Sequence, residues 1–137
     1  MKAVFDTNVL VSGMLTAAGP PGWIVEALLA GDLQAVYNAA IMDEYAEVLQ
    51  RADFAIDPHR VCALLQCVES DGWCVVSPPW SHVLPDSDDG VFLAAAAEAR
   101  IPLVTGNIRH FPLASRGGVT VLSPREFAER YSGTRRG

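Results

Sequence analysis

The sequence predicts an α/β fold in which a parallel sheet is covered by helices on both faces. Two observations lead there. Short β-like apolar runs alternate with helical stretches along the whole chain, the pattern of strands joined by helical crossovers. The chain is 137 residues long, half hydrophobic and only 19% charged, which suits one domain with a well-filled core and excludes a disordered or fibrous chain. No repeat, low-complexity segment or long linker interrupts it.

Each element has a local reason. Lys2–Phe5 is a first strand, broken by the turn formers Asp6, Thr7 and Asn8. Val9–Thr16 reads as a short helix stopped by Gly19, Pro20 and Pro21, and Pro21 opens a second helix that ends at Gly31. Leu33–Tyr37 is a second strand, after which Asn38 caps a helix to about Arg51. A fourth helix covers Pro58–Ser70, and Trp73–Val76 is a third strand. Beyond the Pro78–Pro79 loop, a helix runs from Asp86 to Arg100. It is followed by a strand at Pro102–Thr105, another at Val119–Leu122 and a last helix at Pro124–Tyr131. One domain is expected over 1–131, with a flexible tail at 132–137.

Three carboxylates stand where the fold does not ask for them. In an open α/β sheet the ligand site lies beyond the carboxyl ends of the strands, and Asp6 directly follows Ala3-Val4-Phe5. Asp6 and Asn8 would also serve as an ordinary turn and helix cap. On the 39–51 helix, Glu44 shares the stripe of Ile41, Tyr45, Val48 and Leu49, whereas Asp43 and Glu47 point away. Asp89 lies on one helical face with Phe92, Leu93 and Ala96, and Asp86, Ser87 and Asp88 precede it as capping residues. A carboxylate on an apolar face is costly unless it is paired or binds a metal, although the head group of a stripe-edge Glu can also reach solvent. Thr105-Gly106-Asn107 ends the fourth strand. The glycine permits a close backbone approach, and Asn107 either offers a carbonyl oxygen to a cation or completes the turn. Arg109 and His110 follow within reach.

Bare, three such acids would repel one another strongly, and a divalent cation resolves this. Oxygen-only ligands favour Mg²⁺ or Mn²⁺ over zinc, with Asp6, Asp89 and Asn107 as the expected ligands. Charge distribution points to a phosphate-bearing partner. Residues 1–99 carry 3 basic and 14 acidic side chains, and residues 100–137 carry 7 basic and 2 acidic. Arg109, His110 and Arg116 in the basic part are the expected phosphate contacts. The high apolar fraction also leads us to expect a homodimer.

In order and spacing, FDTNVLVSGML, Glu44 in a helix after the second strand, DSDDGVFLAAA and LVTGNIRHFP together resemble the PIN-domain nucleases. The likeness is greatest to the PIN-family toxin components of prokaryotic toxin–antitoxin systems, similar to VapC-type toxins, and it extends from about Lys2 to Tyr131. It implies a three-layer α/β/α fold with sheet order 3-2-1-4-5, an Mg²⁺- or Mn²⁺-dependent endoribonuclease and inhibition by a cognate antitoxin. With RNA implied as the substrate, the phosphate contacts expected of Arg109, His110 and Arg116 become RNA contacts. The family's core acids fall on Asp6, Glu44 and Asp89, and its supporting positions on Asn8 and Thr105. Asn107 departs from the fourth Asp that many members carry, which leaves open whether one or two cations bind.

Other readings are excluded or kept as alternatives. Lys2 is the only lysine, so neither the strand-end lysine of a phospho-accepting receiver domain nor a P-loop lysine is present. Asn8 occupies the second Asp position of a dehalogenase-type phosphatase. A catalytically weak PIN-like module that binds RNA or protein remains the alternative. Cys62, Cys67 and Cys74 form no CxxC pair and read as buried reduced thiols. No apolar run approaches the roughly 20 residues of a membrane-spanning helix and no signal segment precedes Asp6, so a cytoplasmic location is expected.

Overall fold

The computed structural model describes the chain from Met1 to Arg136, with side chains described through Tyr131. Five strands form one all-parallel sheet in the order β3-β2-β1-β4-β5, the predicted three-layer α/β/α arrangement. In chain order the elements are β1 (Lys2–Phe5), α1 (Thr7–Leu15), α2 (Pro20–Leu29), β2 (Gln34–Tyr37), α3 (Ala39–Leu49), α4 (Pro58–Asp71), β3 (Trp73–Cys74), α5 (Gly90–Ala99), β4 (Leu103–Val104), β5 (Val121–Leu122) and α6 (Pro124–Arg136).

β1 is the centre of the sheet, paired with β2 on one side and β4 on the other. Ala3, Val4 and Phe5 are fully buried, as a strand covered on both faces requires. On one face α5 lies across β1, β2 and β4, and its buried Ala94, Ala95 and Ala96 let the helix approach closely. Elsewhere α2 packs with α4 and α6, and Phe127 of α6 meets Phe5 edge-on at 5.6 Å. Helix α1 is held against α2 at Gly13, where a Cβ would lie 2.4 Å from the carbonyl oxygen of Pro21.

Several boundaries differ from the sequence reading, each for a local reason. α1 begins at Thr7, two residues earlier than expected, because Asp6 already takes the N-cap position. The helix expected from Asp86 is divided into a single 3-10 turn at Ser87–Asp89 and α5 proper. The expected third strand shortens to Trp73–Cys74 because Pro78 and Pro79 withdraw the following chain from the ladder. α3 ends at Leu49, and a separate 3-10 turn at Ala52–Phe54 follows. α6 extends to Arg136; the remainder of the tail predicted at 132–137 lies outside the described residues. The three cysteines are free but not buried as expected: Cys62 and Cys74 are exposed and Cys67 is half-buried. Cys62 lies on the outer face of amphipathic α4, and Cys74 on the edge strand. No helix of the described residues is long and apolar enough to cross a membrane.

Candidate metal centre

Because all five strands are parallel, their carboxyl ends share one edge of the sheet, and the residues that leave β1 and β4 stand side by side there. The ladder continues one residue past each strand, with Asp6 N donating to Val104 O at 2.9 Å and Thr105 N to Leu122 O at 2.9 Å. Asp6 and Thr105 are therefore fixed neighbours. Thr105 is fully buried, and its Oγ1 donates to Asp6 Oδ2 at 2.8 Å while accepting from Asn107 N at 3.0 Å. Asp6 sits at the N-cap of α1, where its carboxyl makes no full capping hydrogen bond but feels the backbone N–H groups of Asn8 and Thr7. Burial pushes its carboxyl above the usual range, with the Thr105 hydroxyl acting in the opposite direction.

Asn8 serves the site from α1. Its Oδ1 accepts from Gly106 N at 3.1 Å, tying the end of β4 to the end of β1. Gly106 contributes this N–H rather than unusual backbone freedom. A Cβ there would meet Asn8 Oδ1 at 3.5 Å, an ordinary contact.

Glu44 occupies the expected inward stripe: Ile41, Tyr45 and Leu49 are buried, Glu44 is half-buried, and Asp43 and Glu47 face solvent. Thr7 Oγ1 donates to its Oε2. Burial and then the nearby charge of Asp6 raise its pKa, with the Thr7 bond opposing them. Tyr45, fully buried beside it, donates its hydroxyl to Phe5 O directly before Asp6. Thr7 and Tyr45 are site residues that sequence reasoning passed over. A hydroxyl-bearing aromatic on the stripe next to Glu44 was the available signal for one of them, and the DTN triplet for the other.

Asp89 sits at the N-cap of α5, again without a capping hydrogen bond, while Asp86 does the capping by accepting from Asp88 N at 3.0 Å. The carboxyl points inward. Burial first, then Asp6, push its pKa up to about 6. Its Oδ2 lies 3.3 Å from His110 Nδ1 without hydrogen-bond alignment, and is a buried oxygen lacking any hydrogen-bond partner. Asn107 Nδ2 lies 2.9 Å from His110 Nε2. When that amide donates, Nε2 accepts and the ring proton resides on Nδ1, facing Asp89.

Asp6, Glu44 and Asp89 thus share one edge; the charge of Asp6 raises the pKa of both Glu44 and Asp89, and that of Glu44 adds to the rise at Asp89. As the side chains stand, no three His, Cys, Asp or Glu among the described residues converge closely enough to form a ready metal cluster. The Asp89 oxygen, which has the His110 contact but no hydrogen bond, and the oxygen donors of Asp6, Glu44 and Asn107 fit a hard divalent cation. Of the expected RNA contacts, Arg109 is exposed and His110 half-buried beside Asp89. Arg116 braces its own loop, with Nε donating to Phe111 O at 2.7 Å. The basic C-terminal third does not gather wholly at the site, since Arg100 ends α5 at the opposite edge of the sheet.

The sheet is all-parallel in the order β3-β2-β1-β4-β5, and Asp6 after β1, Glu44 on α3 and Asp89 at the start of α5 stand toward its carboxyl edge. The chain matches the PIN domain family over residues 2–109 and belongs to that family. No curated protein matches it.

Proposed function

We propose that the protein is a divalent-metal-dependent endoribonuclease and the toxin of a toxin–antitoxin pair, acting in the cytoplasm as a homodimer. One observation carries the nuclease reading: a buried carboxylate oxygen of Asp89 has no hydrogen-bond partner and sits among acids whose pKa values are raised. His110 Nδ1 lies 3.3 Å from this oxygen but makes no hydrogen bond to it, so its burial costs free energy that a bound cation would recover.

In this reading Asp6 and Asp89, with the Asn107 carbonyl, would hold an Mg²⁺ or Mn²⁺ ion, which would supply Lewis-acid polarisation of a phosphodiester and acidify a water. The chain's own residues do the rest. Thr105 fixes the rotamer of Asp6, and Thr7 fixes that of Glu44. The raised pKa of Glu44 suits it to accept a proton from water attacking phosphorus; with the P–O3′ bond breaking and the 3′-oxygen leaving with a proton from solvent, the products are a 5′-phosphate and a 3′-hydroxyl. Arg109 and His110, with Arg116 further along the same loop, are the groups assigned to the RNA backbone.

Purified protein incubated with labelled single-stranded RNA should yield discrete 5′-phosphorylated fragments with Mn²⁺ or Mg²⁺, and none once a chelator is present. Intact RNA under every metal condition would favour the binding-module alternative. Light scattering checks the dimer, which a monomeric mass would refute. Co-purification with the product of an adjacent small reading frame, and loss of cleavage in that complex, checks the toxin assignment.

A further inference from the structure

Beside the acids lies a cavity of about 810 Å³, within the range of small-ligand sites. Its floor comes from the first turns of α3 and α5, and its roof is the extended segment of residues 75–84. It adjoins the acid cluster at two points. Ser87 and Gly90 line it near Asp89 in the chain, and Ala40 lines it one helical turn before Glu44.

The cavity is preformed. Asn38 ties its roof to its floor: Oδ1 accepts from Ile41 N at 2.9 Å, while Nδ2 donates to Ser77 Oγ at 3.2 Å and to Val91 O at 3.1 Å. Trp80 is pinned at the other end. Its Nε1 donates to Ser115 O at 3.0 Å, and Ser115 Oγ donates to Val83 O at 2.6 Å. A Cβ added at Gly90 would come within 3.0 Å of Trp80, and one at Gly117 within 2.9 Å. The Trp80 and His82 rings lie 5.4 Å apart at the rim.

Two features of the lining select the occupant. The walls are mainly apolar with one indole, and the last backbone hydrogen bond before the roof turns outward is Val75 N to Tyr37 O at 2.8 Å. From Val76 to His82 the backbone makes no hydrogen bond to any described residue. The roof residues lining this apolar slot therefore have carbonyls, and at Val76, Ser77, Trp80, Ser81 and His82 also amide N–H groups, with no partner among the described residues. A flat heteroaromatic with a hydrogen-bonding edge uses both features, whereas an aliphatic side chain leaves the amide edge unused. Asp86, Asp88 and Asp89 at the border repel an anionic head group and tolerate a neutral ring.

We propose that this cavity is a subsite for one unpaired nucleobase of RNA, adjacent to the phosphodiester held at the acids. The inference rests on the nuclease reading and adds to it a contact to one base beside the cut bond, which a paired base cannot make.

The test separates the two. Amide NMR spectra of the full chain are recorded during titration with uridine, adenosine, ribose 5-phosphate and cyclohexanol, without metal. Either nucleoside should shift the Trp80 indole and the amides of residues 75–84 saturably, with ribose 5-phosphate and cyclohexanol leaving them in place. Ala40→Trp, which fills the mouth from an exposed helix position, should abolish the nucleoside response. In cleavage assays, removing the base next to the cut bond should lower kcat/KM by about 10-fold or more, the worth of one stacked base. No response to either nucleoside, or an equal response to cyclohexanol as expected of a groove for a partner's apolar side chain, overturns the proposal. Nucleoside binding without any RNA cleavage would keep the subsite and sink the nuclease reading; cleavage indifferent to the missing base would do the reverse.

Discussion

Thr105 and Asp6 are 99 residues apart in sequence and joined by one buried hydrogen bond, the threonine hydroxyl donating to Asp6 Oδ2 at 2.8 Å. The bond exists because β1 and β4 are parallel neighbours whose ladder continues one residue past each strand. Two residues that mean little apart become a fixed pair at the carboxyl edge of the sheet.

Thr105→Val keeps the shape and removes the donor. Asp6 then loses the bond that opposes its burial-raised pKa, so the variant should titrate Asp6 at still higher pH. It should lose about 1.5–3 kcal/mol of stability at neutral pH, the range for a hydrogen bond to a charged group. Carbon-detected NMR titration of the Asp6 carboxyl, together with urea unfolding, checks both.

Asp89 makes stability depend on pH in an unusual direction. Its folded pKa, about 6, lies above the ordinary 3.8, so the folded state binds the proton more tightly than the unfolded one. That contribution is complete below about pH 4 and is lost as pH rises through about 6. Metal-free protein should accordingly show a falling Tm across this window, and Asp89→Asn should flatten the fall and raise Tm by a few degrees at pH 7. Calorimetric scans from pH 4 to pH 8 in chelator measure it; a Tm that rises across the window in the wild type would contradict the assignment.

Tyr45→Phe removes a hydroxyl from a fully buried side chain and leaves Phe5 O without that donor. The expected loss is about 1–3 kcal/mol. Asp6 follows Phe5 directly, so cleavage should also weaken at saturating metal, which a purely stabilising role would not produce.

Asn107→Asp adds a charge beside Asp89 and His110, where the amide now faces His110 Nε2 at 2.9 Å. Mn²⁺ should bind the variant more tightly, with maximal cleavage at lower metal concentration. Titration calorimetry of both proteins decides, and identical affinity and stoichiometry would reduce Asn107 to turn chemistry.

The placement of the three acids was legible in the sequence because each breaks a local rule: a carboxylate after a buried strand, and two others on apolar helix faces. Strand order followed from the family resemblance. What stayed hidden depends on contacts distant in the chain. No local pattern joins Thr7 to Glu44 or Tyr45 to Phe5, and the Pro-rich roof of the cavity reads as an ordinary loop until Asn38 and Trp80 are seen anchoring its two ends. The cysteines were misread because small apolar character says nothing about which side of α4, or which edge of the sheet, a residue will occupy.

The central claim is that Asp6, Glu44 and Asp89 form a cation-dependent centre for cutting RNA. The most direct measurement is the cleavage rate of single-stranded RNA by wild type, Asp6→Asn and Asp89→Asn across an Mn²⁺ titration, with folding confirmed by circular dichroism. The account predicts metal-dependent cleavage by the wild type and a loss of at least about 100-fold in each folded variant, the scale of removing a group that acts in the transition state. Undiminished cleavage by either variant, or wild-type cleavage that persists in chelator, would contradict it.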